Sequence, residues 1–554
     1  MTITKHLDFW PRHLPTWLEV PHTSLYHNLQ VSAMRYPTRT AIFYYGTKVS
    51  YETLLLQVDR LAAYLHIECH VNQGDSVLLY MQNSPQYVIS FYAIVSLGAV
   101  VIPINPMSVT EDLMFYEQDS KAKIAIIGQE LYANVAPLIS SDLLSQVIVA
   151  TYSDFIDFQD EFEMPKVVTT LSHIPASPTV ILWKEALANS LDILPIAVLP
   201  SDIAVLPYTS GTTGKPKGCI HTHETVQTNA VGGALWSYMT SSSVILATLP
   251  LFHVTGMEHS MNAPIYVGAT MVIMTRWNRD TAAQLIEKTG CTHWTNIATM
   301  VVDFLSNPKL SMYNISTLKG IGGGGATLPA AVGNQLLALT GVAYAEGYGL
   351  SETMSQTHFN PPDRPKMQCM GIPSFNVDAR IIDPMTLEEL GPNAEGEIIV
   401  HGPQICKGYF HRPEETQKAF IEFEGKTFFR TGDIGKYDEE GYFFMVDRMK
   451  RMINAAGFKV WPSEVESLLY RHPAILQACV IGVPDPRRGE TVKAYIIPKK
   501  EYRDTVTELE VMEWSKEHMA AYKIPRIVEF VEKLPTSATG KVLWRELQEQ
   551  EKNK

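Results

Sequence analysis

The feature that most limits how this chain can fold is an alternation. From Ser76 onward, short and wholly apolar runs trade places with helical stretches. Ser76-Val-Leu-Leu-Tyr80 predicts a strand, residues 85–97 a helix, and Ala99-Val-Val-Ile-Pro103 a strand. Residues 110–120 then read as a helix and Lys123-Ile-Ala-Ile-Ile127 as a strand again. A strand apolar on both faces is buried on both faces, and strands joined by helical crossovers run parallel. The class is therefore α/β with a mostly parallel, helix-covered sheet. The rhythm resumes with Asp202-Ile-Ala-Val-Leu-Pro207, Val244-Ile-Leu-Ala-Thr-Leu249, Thr270-Met-Val-Ile-Met274 and Leu318-Lys-Gly-Ile321.

The length of 554 residues exceeds one ordinary core, so at least two domains are expected. Residues 154–200, with Pro175, Pro178 and Pro195, read as a connecting stretch. From about Gly396 the style changes to short strands and turns, and beyond Arg448 a small α+β unit is expected. In that unit Ser463-Glu-Val-Glu466 reads as a helix start with a capping box. Ala478-Cys-Val-Ile481 and Val492-Lys-Ala-Tyr-Ile-Ile497 read as strands.

The bulk numbers exclude some roles. A formal net charge of -13 argues against nucleic acid as a partner, which calls for a basic footprint. Small anions stay open, because one site needs only local positive charge. The six cysteines (Cys69, Cys219, Cys291, Cys369, Cys406 and Cys479) include no CxxC pair and suit buried thiols in a reducing compartment. The first residues lack the charged-then-apolar pattern of a signal peptide. The longest apolar run, residues 87–103, carries Ser90, Ser96 and Gly98 and ends at a proline, so it reads as helix into strand rather than a membrane span. A soluble cytoplasmic protein without a transmembrane segment is the expectation. Oligomeric state stays open, a homodimer included.

Six short segments carry chemistry. Tyr208-Thr-Ser-Gly-Thr-Thr-Gly-Lys-Pro-Lys-Gly218 follows a predicted strand and packs hydroxyls, glycines and two lysines into eleven residues. Glycines bring backbone N–H groups close to an anion, hydroxyls donate to phosphate oxygens and lysines add charge. The usual P-loop would place Gly-Lys-[Ser/Thr] five residues after Gly211, where Pro216 stands, so this is a phosphate loop of another design. Gly322-Gly-Gly-Gly325 ends another predicted strand, which suggests one nucleotide site at strand ends. Glu346-Gly-Tyr-Gly-Leu-Ser-Glu-Thr353 puts Tyr348 between two glycines, open to lie against a base, with Glu352 and Thr353 placed as metal ligand and phosphate donor. Arg430-Thr-Gly-Asp433 offers a carboxylate after a tight turn, suited to ribose hydroxyls. Asp447-Arg-Met-Lys-Arg451 and Pro535-Thr-Ser-Ala-Thr-Gly-Lys541 complete the set. Each alone also reads as a turn, a solvated charge or a helix cap; their order and spacing do not.

Together these segments resemble the adenylate-forming superfamily, which includes acyl-CoA synthetases, carrier-loading adenylation domains and beetle-type luciferases. The resemblance runs from about Leu25 to Leu547. It is most similar to bacterial medium- and long-chain fatty acid–CoA ligases. Leu249-Pro-Leu-Phe-His-Val-Thr-Gly256, Met452-Ile-Asn-Ala-Ala-Gly-Phe-Lys-Val-Trp-Pro-Ser-Glu-Val-Glu466 and Ala521-Tyr-Lys-Ile-Pro-Arg526 carry that part. The implied architecture is a large N-terminal domain, residues 1–449, of parallel-sheet layers plus a small β-barrel-like part. A small mobile α+β domain, 450–554, follows a hinge at Lys450.

The resemblance implies a two-step ligation of a small carboxylic acid to coenzyme A at the expense of ATP, with Mg²⁺. Glu352 would hold Mg²⁺, Thr353 the α-phosphate, and Lys541 would act in the first step only. Thr209, Ser210, Gly211, Thr212, Thr213, Gly214, Lys215 and Lys217 would hold the leaving pyrophosphate. Tyr348 would stack on adenine, lined by Gly324, Gly325, Ala326, Glu346 and Gly347. Asp433 would take the ribose hydroxyls, with Arg448 beside it. Gly457, Phe458 and Lys459 would line the pantetheine tunnel, and Arg487, Arg488, Lys523 and Arg526 are candidates for the CoA phosphates. His253 would border the acyl channel, a satisfied structural histidine being the other reading. The acyl pocket is expected from residues 236–261, 296–300 and 322–326. Glu346 departs from the family pattern, where many relatives carry Gln or Asn. An aryl acid, or a carrier-protein thiol as acceptor, remains an alternative.

Overall fold

The computed structural model describes residues 4–157, 162–191, 196–209, 216–455, 458–485, 489–536 and 542–552. By compactness the chain divides into two units, Met1–Asp378 with Val400–Phe429, and Ala379–Ile399 with Arg430–Lys554. The boundary expected at Lys450 falls inside the second unit.

The first unit is mixed α/β, and among its described residues two large sheets dominate. One has seven strands in the order His221–Thr222, Ile203–Val205, Val100–Pro103, Ser76–Tyr80, Ile124–Gly128, Gln146–Ala150 and Val180–Leu182. All its pairings are parallel except the one with His221–Thr222. The apolar runs show why this sheet is covered twice. Successive side chains of a strand point to opposite faces. Val77 and Leu79 enter one apolar cluster with the helices Tyr51–Ile67 and Pro85–Ser96, while Leu78 and Tyr80 enter another. The stretch read as connecting contributes the edge strand Val180–Leu182, too short to register as a strand from its sequence.

The other sheet has nine strands and is parallel in its middle, where Thr40–Tyr44, Thr270–Ile273, Val244–Ala247, His293–Asn296, Gly320–Gly323 and Tyr344–Leu350 follow one another. Beyond Tyr344–Leu350 it turns antiparallel through Ser355–Phe359 and Ile372–Pro373. Residues from both sheets, such as Val77, Ile126, Leu246 and Ile321, share one buried cluster.

In the second unit the hairpin Ile475–Asp485 and Gly489–Pro498 is antiparallel, and Ile527–Phe530 adds in parallel. The helices Pro462–Leu469 and Glu508–His518 cover it through Val465, Leu469 and Val511. The expected capping box at Ser463–Glu466 does not form. The helix starts at Pro462 with Trp461 as its cap and no side-chain cap bond. The Ser463 N–H donates to Asp447 Oδ2 at 2.7 Å, and Glu466 instead accepts from Arg451 Nη2 at 2.5 Å and from the Val480 N–H at 2.7 Å. A half-buried charge partner prevails over a local backbone donor, since a charge-assisted bond is roughly twice as strong as a neutral one. None of the six cysteines forms a disulfide, and all are buried. Among the described residues no helix is long and apolar enough to cross a membrane.

Candidate active site

The strand Tyr344–Leu350 ends in a reversal that places Glu352 and Thr353. It pairs with Ser355–Phe359 so closely that a Cβ at Gly349 would run into the Ser355 carbonyl. The turn bends through Met354 (φ 46°) and Ser355 (φ 87°), two consecutive non-glycine residues at positive φ, a costly backbone that needs outside support. Support comes from the helix His223–Trp236 and the strand before it. Asn229 Nδ2 donates to the carbonyls of Thr353 (2.9 Å), Met354 (2.7 Å) and Gln356 (3.1 Å). His221 Nε2 donates to the Ser351 carbonyl at 2.7 Å; burial lowers this imidazole to about 4, so at neutral pH it is uncharged, with the proton on Nε2.

The half-buried Glu352 accepts the Tyr409 hydroxyl on Oε1 at 2.9 Å. Burial, and then the carboxylate itself, raise the Tyr409 phenol, which keeps its proton and stays a donor. Tyr409 reaches this place because residues 407–409 pair with the end of the phosphate loop. The Ile220 N–H donates to Gly408 O, and the Lys407 N–H to Ile220 O, both at 2.9 Å. Lys217 Nζ sits over the Tyr409 ring, 5.0 Å from its centre. One phenol thus connects the lysine of the loop with the carboxylate of the turn. Glu352 also fits Mg²⁺ by donor type, since that ion takes one or two carboxylates and completes its shell with substrate phosphates and water.

The Thr353 hydroxyl is already employed. It accepts from the Leu350 N–H at 2.8 Å and donates its single proton to the Ser355 carbonyl at 2.7 Å. It can donate to a phosphate only by giving up that bond.

The phosphate loop is anchored at its base. Tyr208 and Thr209 pair antiparallel with Gly218 and Lys217. Tyr208 donates to Asp119 Oδ2 at 2.8 Å, and Arg412 Nη2 holds the other Asp119 oxygen at 2.8 Å. Ser210, Gly211, Thr212, Thr213, Gly214 and Lys215 lie outside the described residues, as do Gly457, Lys541, Arg487, Arg488 and the side chains of Phe458 and Lys459.

The second glycine turn closes the strand Gly320–Gly323, where a Cβ at Gly323 would strike the Asn296 carbonyl. Gly324 is half-buried, and Gly325 and Ala326 are exposed. Beside them Glu346 Oε1 accepts from the N–H groups of Leu328 (3.3 Å) and Gln368 (3.2 Å). Burial pushes this carboxyl up to about 7. Tyr348, next to the half-buried Gly347, is buried edge-on against His358, with ring centres 5.7 Å apart. His253 is exposed and caps the short helix Val254–Met257, its Nδ1 accepting from the Thr255 N–H at 3.4 Å.

Beyond the turn, a narrow crevice, too tight for a water molecule, is lined by Asn229, Gly232, Trp236, Gln356, Phe359 and Phe375. Trp236 stacks on Phe359 at 6.2 Å and meets Phe375 edge-on at 5.5 Å. Of the stretches expected to form the acyl pocket, Trp236 lies on this wall. Met257 and Met261 are fully buried in the main apolar cluster. Sequence reasoning missed Asn229, His221, Tyr409, Asp119 and Gln356. They sit far from the motifs they serve, and no spacing announces them.

In the second unit, Asp433 pairs with Arg448, whose Nε lies 3.0 Å from Oδ1; the two residues face each other on adjacent strands. Lys450 is exposed in a short turn, flanked by the half-buried Arg451 that binds Glu466.

The model of the AMP-binding enzyme family matches residues 29–410, and that of the AMP-binding enzyme C-terminal domain matches residues 464–541. The chain is 34% identical over 551 residues to a long-chain-fatty-acid–CoA ligase of Bacillus subtilis (strain 168), covering 98% of this chain and 97% of the relative. It is 31% identical to a feruloyl-CoA synthase of Amycolatopsis sp, over 92% of this chain and 95% of that one. The crystal structure of ATP-bound MatB from Rhodopseudomonas palustris superposes with a TM-score of 0.83 at 27% identity, covering 96% of this chain and 99% of MatB.

Proposed function

Because the chain belongs to the AMP-binding enzyme family, we propose that it joins a fatty acid of medium to long chain to coenzyme A through an acyl-AMP intermediate. In the first step a carboxylate oxygen of the acid attacks the α-phosphorus of ATP, and the bond to pyrophosphate breaks. In the second the CoA thiol, giving up its proton, attacks the acyl carbon, and the bond to AMP breaks. The first step brings an anion to a polyanion, so fixed positive charge and donors aimed at the phosphates dominate it. Residues 209–217 hold the departing pyrophosphate, Glu352 would hold Mg²⁺, which would neutralise phosphate charge, and Thr353 redirects its proton from Ser355 to the α-phosphate. Tyr348, Gly347, Glu346 and residues 324–326 bound the adenine, and Asp433 with Arg448 takes the ribose. Lys541 serves adenylation alone, and residues 457–459 serve the CoA step.

One observation carries the choice of acid. The chain aligns over 98% of its length with a relative named as a long-chain-fatty-acid–CoA ligase. The likeness to a feruloyl-CoA synthase supports a second reading, an aryl acid.

The deciding experiment measures AMP release across fatty acids of graded length and across benzoates and cinnamates, with and without CoA. Medium and long chains should give the highest kcat/KM. Preference for short or aromatic acids defeats the fatty-acid reading, and turnover only with a carrier-protein thiol defeats CoA as acceptor. Lys541→Ala should abolish acyl-AMP formation yet leave CoA transfer from supplied acyl-AMP largely intact; equal loss of both steps defeats the division of labour.

A further inference from the structure

The seven residues between Thr209 and Lys217 include no Val, Ile, Leu, Met or aromatic side chain that could fasten them to a core. A segment of that composition takes its position from the scaffold at its ends. There the chain entering the phosphate loop meets a helix that belongs to none of the six motif segments, Thr110–Ser120. This helix presents Phe115, Tyr116 and Asp119 to Tyr208. The Tyr208 ring lies edge-on to Tyr116, with centres 4.8 Å apart, and to Phe115 at 6.2 Å. It also closes on Gly218, where a Cβ would lie 3.2 Å from Tyr208 Cζ.

Asp119 is the centre of this seat. Its side chain is 8% exposed, and it accepts the Tyr208 hydroxyl on Oδ2 and the Arg412 guanidinium on Oδ1, both at 2.8 Å. Burial, and then the bond to Asp119, raise the Tyr208 phenol, which keeps its proton and stays the donor. Arg412 closes the turn that carries Tyr409. Its N–H donates to the Tyr409 carbonyl at 3.1 Å. Thr416 Oγ1 bridges the two residues, donating to the Arg412 carbonyl at 2.8 Å and accepting from the Tyr409 N–H at 2.9 Å. Between them, the Phe410 N–H donates to the Gly218 carbonyl at 2.8 Å. The two oxygens of one carboxylate therefore hold the start of the loop and the strap whose Tyr409 hydroxyl reaches Glu352 at 2.9 Å.

We propose that Asp119 is a positioning residue for acyl-AMP formation: it fastens the phosphate loop and the Tyr409 strap to one point of the fold, so that the groups facing the β- and γ-phosphates keep their distance from Glu352. The inference rests on that loop being the holder of the leaving pyrophosphate. Asp119 acts through Tyr208 and Arg412 rather than on the substrate. AMP carries only the α-phosphate and so makes no demand on the loop. The CoA step begins from acyl-AMP and makes none either. ATP and pyrophosphate both do, and a small misplacement of the groups that hold them is costly.

The test compares wild type, Asp119→Asn and Tyr208→Phe in the full chain, measuring Kd for ATP, pyrophosphate and AMP by calorimetry in Mg²⁺ buffer and the rate of each step. Asn offers one oxygen where two are in use, and Phe removes the hydroxyl while keeping the ring. Asp119→Asn should weaken ATP and pyrophosphate roughly tenfold, the effect of one hydrogen bond to a charged group, with Kd for AMP and CoA transfer from supplied acyl-AMP unmoved. Tyr208→Phe should weaken ATP and pyrophosphate in the same direction and leave AMP as it is. A Kd for AMP that rises in step with that for ATP assigns Asp119 a merely structural role and overturns the proposal, as does a CoA step that falls as far as acyl-AMP formation. Should Asp119→Asn fail to fold, unshifted ATP and pyrophosphate binding in Tyr208→Phe overturns it equally. A wild type that binds neither ATP nor pyrophosphate defeats the functional reading and the seat with it; a wild type that binds both, beside an unshifted Asp119→Asn, defeats the seat alone.

Discussion

Two regions of the first unit meet at the strand Ser355–Phe359, and they are built on opposite principles. At its start is the Glu352–Thr353 turn, where almost every contact is a hydrogen bond of defined length and the backbone is strained. At its end is the crevice, where Trp236, Phe359, Phe375 and Trp10 meet as rings in close apolar packing. Polar chemistry tolerates little substitution, because an unpaired buried donor or acceptor is penalised in full. Apolar packing tolerates exchange of similar volumes. On the proposed function the turn would serve the reaction and the aromatic side the choice of acid, and variants on the two sides should then separate accordingly.

The widest separation is expected from Glu352→Gln. It removes the charge offered to Mg²⁺ while keeping an acceptor for Tyr409, so folding should be nearly unchanged. Acyl-AMP formation, followed by pyrophosphate release, should fall by roughly 10²–10³-fold, the range for losing one fixed electrostatic contact. The loss should be equal for every acid; a loss that varies with chain length breaks the separation. Asn229→Ala comes next. Three carbonyls lose their donor inside the protein, and the turn at Met354 and Ser355 loses its brace. A destabilisation of about 3 kcal/mol by denaturant titration is expected, together with slower adenylation.

The same contrast explains what was legible from the residues alone. The parallel sheet was plain in the apolar runs, because a strand buried on both faces has no polar alternation to confuse it with anything else. Legible as a motif too was the segment holding Glu352 and Thr353, though without its reversal at Met354 and Ser355. The crevice was not. Trp10, Trp236, Phe359 and Phe375 are spread over some two-thirds of the chain, and aromatic packing imposes no spacing on its members. Of these four only Trp236 lies in a stretch singled out from the sequence. The helpers Asn229, Tyr409 and Asp119 were invisible for a related reason. Each acts through a contact made by folding, and an isolated Asn, Tyr or Asp has many uses. The capping box at Ser463 shows the reverse error, a valid local signal overruled by Arg451 and Asp447.

A smaller effect should come from Glu346, on the polar side. Burial raises its carboxyl to about 7, above the ordinary 4.5. A raised folded-state value means that the protonated acid is favoured by folding. Its contribution is fully present below about pH 4.5 and is lost as pH rises through about 7, at most about 3 kcal/mol in all. Glu346→Gln keeps an acceptor for the N–H groups of Leu328 and Gln368 and does not titrate. Stability of wild type relative to this variant should therefore decline between pH 4.5 and 7, read as the difference in denaturant midpoint, while acid preference stays the same. A flat difference would mean that the carboxylate is accommodated in its charged form.

The smallest effects give the sharpest contrast, because they come from adjacent residues of one helix. A Cβ on Gly232 would meet Phe375 Cδ2 at 3.3 Å, on the crevice side. A Cβ on Gly233 would meet His259 Cε1 at 3.1 Å and Gln356 Nε2 at 3.3 Å, on the side of the polar turn. Both substitutions to alanine gain helix propensity, about 1 kcal/mol each, so the difference between them isolates the neighbours. The Phe375 ring can yield by a few tenths of an ångström, and Gly232→Ala should be near neutral in stability while shifting preference a few-fold towards smaller acids. His259 and Gln356 have less freedom, because Gln356 Nε2 is bonded to the Asn229 carbonyl at 3.2 Å and His259 is fully enclosed. Gly233→Ala should be the less stable of the pair by about 1 kcal/mol, the worth of one displaced hydrogen bond, with kcat lowered alike for all acids. If Gly233→Ala shifted acid preference and Gly232→Ala did not, the boundary between the reacting turn and the selecting crevice would have to be redrawn one residue along the helix.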